Sequence, residues 1–127
     1  MKNFIIFILD KSNSISKLID NNLPKEPENK IITFNDKDKL IDNLYKKPDV
    51  IIYNSIKYED YRDLINICNK KQMDTEIIII SNQATIEIED VINFLKNGAY
   101  DFIIKNDRSK IRLLNDIKDI KKNIVVR

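Results

Sequence analysis

The stretch Lys47-Pro48-Asp49-Val50-Ile51-Ile52-Tyr53-Asn54 decides how this chain folds. A proline and an aspartate open it, four apolar or aromatic residues follow without interruption, and an amide closes it. A strand with one wet face alternates apolar and polar side chains. An uninterrupted run belongs to a strand covered on both faces, as in a parallel sheet between two helical layers. In open α/β sheets, ligands sit just outside the carboxyl ends of the strands, so Asn54 stands where any chemistry is expected.

Working outward, Glu76 to Ile80 brings four successive isoleucines and stops at Ser81, and Asn3 to Leu9 is an apolar run stopped by Asp10. Lys30 to Phe34 and Tyr100 to Ile104, the latter ending at Lys105, complete five strands. Helical stripes lie between them. Ile15, Leu18, Ile19 and Leu23 follow a cap at Ser12 or Asn13 and end at Pro24 and Pro27; Leu40, Ile41, Leu44 and Tyr45 follow Asn35 or Asp36. Tyr61, Leu64, Ile65 and Cys68 mark a third helix, and Ile88, Val91, Ile92 and Leu95 the buried side of a fourth. A last helix, opened by Asp107 or Ser109, turns Ile111, Leu114, Ile117 and Ile120 inward. The single glycine, Gly98, follows the fourth helix, where a left-handed residue is needed. Fivefold alternation with short connections predicts a three-layer α/β/α sandwich around a five-stranded parallel sheet of order 2-1-3-4-5.

Length and composition narrow the function. The 127 residues suit a single domain spanning 1–127. With 22 basic against 20 acidic residues, the net charge is only +2, and the lysines are scattered, so no nucleic-acid surface is expected. The longest apolar run, Phe4 to Leu9, is far below the roughly 20 residues that span a bilayer, and no membrane role is expected. A cytoplasmic location follows as the expectation. The absence of histidine removes histidine phosphotransfer, Ser-His-Asp triads and histidine metal sites. Cys68, the single cysteine, falls on an apolar stripe and reads as a packed thiol.

Asp10 with Lys11, Asn54, Ser81 and Lys105 therefore gather at the carboxyl ends of the strands. Here the chain resembles the response regulator receiver domain over essentially its whole length. Phe7-Ile8-Leu9-Asp10 matches the acidic end of the first strand, and Pro48 to Asn54 the phospho-acceptor strand. Ile77 to Ser81 matches the strand ending in a hydroxyl switch residue, and Asn97-Gly98-Ala99-Tyr100-Asp101-Phe102-Ile103-Ile104-Lys105 the segment that carries an aromatic switch and a lysine. The resemblance implies a flavodoxin-like fold, an aspartate nucleophile, a magnesium ion held by acids, Ser81 and Phe102 as switch residues, and Lys105 on the phosphoryl group.

This sequence departs from that pattern at its chemical centre. The acceptor position is Asn54, which has no carboxylate, and the second acidic position is Lys11, so Asp10 is the only surviving acid. An ammonium held about 4 Å from a divalent ion repels it by roughly 8 kcal/mol at an effective dielectric of about 20. Neither a metal nor another cofactor is expected. Two readings of Lys11 stay open, one in which it replaces the metal by pairing with Asp10 and the Asn54 carbonyl, and one in which the pocket has decayed around a solvated lysine. Asn106 replaces the proline that usually follows the lysine. Asp49 and Asp101 lie toward the opening ends of their strands and cannot stand in for the acceptor.

What the resemblance then implies is a phosphorylation-independent pseudo-receiver, not an enzyme, that docks on a protein partner or on itself through the fourth helix, fifth strand and fifth helix. Ile86, Phe94 and Leu113 are the apolar residues expected on that face beside Phe102, with Asp101 and Arg112 forming charge pairs across it. From about residue 120 the chain would lead toward an output domain. Two alternatives remain. One is a phosphate- or flavin-binding protein holding its ligand at Ser12, Asn13, Ser14 and Ser16. The other is a receiver phosphorylated at an unusual residue.

Overall fold

The computed structural model describes residues 3–54, 58–81 and 87–126, without the side chains of 58–60, 125 and 126. Five strands alternate with five helices: β1 (Phe4–Leu9), α1 (Ser14–Asn22), β2 (Asn29–Phe34), α2 (Lys37–Asp42), β3 (Val50–Asn54), α3 (Tyr58–Lys70), β4 (Glu76–Ser81), α4 (Ile88–Lys96), β5 (Ala99–Ile104) and α5 (Ser109–Val126). All pairings are parallel, in the order β2-β1-β3-β4-β5. The predicted flavodoxin-like sandwich is the fold. Residues 120–126 continue α5 as helix. No described helix is long and apolar enough to cross a membrane.

Strand alternation divides the apolar residues between two cores. Phe7, Leu9, Ile51, Tyr53, Ile77, Ile79 and Phe102 face α2, α3 and α4, while Ile6, Ile8, Val50, Ile52, Ile78, Ile80 and Ile103 face α1 and α5. Both faces of β3 are dry, which is why its sequence does not alternate. Truncating such a fully buried isoleucine to alanine costs about 2–5 kcal/mol. The far end of the sheet is closed by Asp49, whose Oδ2 accepts the Ile5 N–H at 2.8 Å. Gly98 takes φ +102°, as its place after α4 requires.

The helices are rotated from their expected phase in three places. On α4 the buried residue is Phe94, while Ile88, Ile92 and Leu95 are 73%, 47% and 47% exposed. The physical reason is an aromatic cluster: the Phe94 ring sits 5.1 Å from both Tyr61 and Phe102, and burying a ring outweighs burying an aliphatic chain from the next stripe. On α5, Leu113 is buried and Ile111 is 62% exposed. Tyr45 lies in a 3-10 turn, Leu44–Lys46, and points outward instead of extending the α2 stripe.

These rotations correct the docking face. Phe94 and Leu113 belong to the core, and so does Phe102. Ile86 lies outside the described residues. The apolar residues exposed on this side are instead Ile88, Ile92 and Leu95 of α4, Tyr100 and Ile104 of β5, and Ile111 of α5.

Candidate functional site

The strand order brings Asp10, Asn54, Ser81 and Lys105 to one edge of the sheet, because β1, β3, β4 and β5 are consecutive neighbours. Asp10 is 1% exposed. Its Oδ2 accepts the Ile15 N–H at 2.7 Å, and its Oδ1 accepts the Ser12 N–H at 3.2 Å and the Ser12 hydroxyl at 2.9 Å. Asn13, the residue before α1, has φ 62° and makes no side-chain cap bond, so the cap expected from Ser12 or Asn13 comes chiefly from Asp10. A carboxylate there also meets the positive end of the helix dipole.

From Asp10 a chain of hydroxyls runs to β5. The Ser12 and Ser14 hydroxyls lie 3.0 Å apart, and the Lys105 ammonium donates to Ser14 Oγ at 3.1 Å. Lys105 thus reaches Asp10 through two serines. Its backbone N–H is held by the Ser81 carbonyl at 2.9 Å, and Ser81 itself is fully buried. Lys11 is exposed, and the ion pairs among the described residues do not include it. Of the two readings of Lys11, the one that pairs it with Asp10 finds no such ion pair among the described residues, and both Asp10 oxygens are engaged from the α1 side. Asn54 is half-buried at the end of β3, opposite Ile80.

Other features bear on what this edge can hold. No group of three metal-ligating side chains occurs among the described residues. At α1, the helix amide that would receive a phosphate is taken by Asp10, and Ser16 turns away to bond Thr33 Oγ1 at 2.8 Å. That arrangement counts against the phosphate- or flavin-binding alternative. Burial pushes the Cys68 thiol up to about 11, so it stays protonated and inert. Asn106 does work that proline could not: its Oδ1 accepts the Arg108 N–H at 2.8 Å and its backbone N–H donates to Ser109 Oγ at 3.3 Å, turning the chain into α5.

The second charged group expected from the sequence closes on itself. Arg112 Nε donates to Asp101 Oδ2 at 2.8 Å, and a second guanidinium N–H bonds Asp101 Oδ1. The pair thus forms within the chain, because Arg112 on α5 reaches Asp101 on β5. Asp116, one helical turn further along α5, joins this pair and was not expected from the sequence. The signal was present as the four-residue spacing from Arg112 to Asp116.

No family model matches the sequence, and no curated protein matches it. Solved structures do. The signal receiver domain of a Luxo repressor protein from Vibrio parahaemolyticus superposes with a TM-score of 0.72 at 20% identity, covering 100% of this chain and 98% of that one. The beryllofluoride-activated receiver domain of DrrB from Thermotoga maritima gives 0.71 at 20% identity, covering 94% and 98%. An orphan response regulator of H. pylori gives 0.72 at 16% identity, covering 92% and 95%. At such identities the likeness is one of fold: this chain is built as response regulator receiver domains are built.

Proposed function

We propose that this chain is a pseudo-receiver, a signalling module that acts by docking on a protein partner or a second copy without being phosphorylated. The observation that carries this reading is the state of Asp10. Both of its oxygens are committed to the start of α1, and the neighbouring acceptor position holds Asn54, whose amide cannot attack phosphorus. Magnesium takes its protein ligands mainly from carboxylates, and among Asp10, Asn54, Ser81 and Lys105 the one carboxylate is Asp10, engaged at both oxygens. The docking half of the reading is supported by Ile88, Ile92 and Leu95, which expose one apolar side of α4 beside Tyr100 and Ile104. No cofactor and no nucleic acid enter it.

The test is a titration with magnesium and beryllofluoride, followed by backbone amide shifts around Asp10, Asn54, Ser81 and Lys105. The wild-type chain is expected to stay silent, while a Lys11→Asp, Asn54→Asp double variant responds. Saturable shifts in the wild type would contradict the reading, since the site would then still bind the anion or the metal.

A further inference from the structure

Among the described residues, the seam between β5 and α5 holds more negative charge than the Arg112 cation can balance. Asp101 follows the register shift of β5 against Ile77 and Ile78 and points to the α5 side, as Ile103 does. Both of its oxygens take Arg112, and Oδ1 also accepts the Phe102 N–H at 2.8 Å. Beside it lies a second carboxylate, Asp116, whose Oδ2 is buried and without a hydrogen-bond partner. Two adjoining carboxylates thus face one guanidinium, which bonds Asp101.

We propose that Asp101 and Asp116 hold one proton between them, carried on Asp116, and that its loss loosens α5 against the sheet edge beside the apolar face. The consequence for docking rests on the function proposed above; the proton itself does not.

The surroundings assign the proton to Asp116. Burial, the bond to Asp101 and the charge of Asp101 push its carboxyl up to about 8, with Asp119 adding to the effect and Arg112 opposing it. For Asp101, burial works against ionisation, but the bonds from Asp116 and Arg112, the charge of Arg112 and the Phe102 N–H together hold its carboxyl low. The groups turned toward this seam are Asp101 and Tyr100 from β5, Arg112, Asp116 and Asp119 from α5, and Glu76 from β4. Arg112 is the one cation among these six, so a proton lost from Asp116 leaves for solvent and its charge is not compensated.

The sign follows from linkage. The folded chain keeps a proton that the unfolded chain sheds in the ordinary carboxylate range. Stability therefore falls as pH rises from that range to about 8, and levels off above it. A one-proton difference changes the unfolding equilibrium by up to about tenfold per pH unit.

The experiment uses the full chain and needs no partner, so its failure is distinguishable from failure of the docking reading. Carboxyl carbon shifts of Asp101 and Asp116 are followed by NMR from pH 4 to 9, with urea midpoints over the same range. In the wild type the Asp116 carboxyl should titrate near the top of that range, with the midpoint falling alongside. Asp116→Asn, which mimics the protonated form, should fold normally and lose that fall. In Asp101→Asn, Asp116 becomes the partner of Arg112 and should titrate in the ordinary carboxylate range. Titration of wild-type Asp116 below pH 5, or an undiminished pH dependence in Asp116→Asn, would overturn the proposal.

Discussion

Two carboxylates, Asp10 at the carboxyl end of the sheet and Asp101 at its β5 edge, are satisfied in different ways. Asp10 is held by two backbone amides and a hydroxyl from the start of α1, and no ion pair among the described residues includes it. Asp101 is held by a guanidinium on α5 and the Phe102 N–H, and abuts a second acid, Asp116. A carboxylate satisfied by backbone amides is part of the scaffold, because moving it would orphan those amides. Asp116, one of whose oxygens no backbone group holds, can exchange a proton while the backbone stays where it is. Asp10 is thus bound into the start of α1, while the Asp101 and Asp116 carboxyls lie in a side-chain cluster along the β5 edge.

That contrast is open to attack on several sides. The largest effect is expected where the edge rests on the core. Phe94→Ala should cost about 3–5 kcal/mol of unfolding free energy in urea, since it removes the ring between Tyr61 and Phe102. Ile92→Ser, two residues earlier on the exposed side, should stay within about 0.5 kcal/mol. Equal losses at the two positions would mean that α4 buries the other stripe, and the docking face would vanish.

A smaller loss is expected at the scaffold carboxylate. Asp10→Ala removes the α1 cap and leaves buried amides unpaired, for roughly 1–3 kcal/mol. The same change should lower amide protection at Ile15 before it affects β1. An unchanged midpoint would show that Asp10 is dispensable to the fold, and so free for chemistry. The change carried by Asp116 should be smaller for any single pH unit, at most about tenfold in the unfolding equilibrium, and is spread over several of them.

Much of this was legible before any coordinates. The uninterrupted runs Val50 to Tyr53 and Ile77 to Ile80 announce a sheet buried on both faces, and the polar residues that end them mark the functional edge. The phase of α4 was not legible, because Ile88, Val91, Ile92 and Leu95 fit a helical stripe as well as Val91 and Phe94 do. Only the tertiary cluster of Tyr61, Phe94 and Phe102 chooses between them. Nor could spacing show that Asp10 turns toward α1, since that depends on a left-handed turn at Asn13 that no glycine signals. The pairing of Asp101 with Arg112 was visible as a pair of opposite charges, but not that the two meet within the chain with Asp116 beside them.

The most direct measurement of the central claim is the carboxyl carbon shift of Asp10 during a magnesium titration of the wild-type chain. If Asp10 is committed to the cap of α1, that resonance and the Ile15 amide stay unmoved as magnesium is raised to saturating excess. A saturable shift of both together would show the carboxylate leaving the helix for the metal, and the site would have to be counted as a working one.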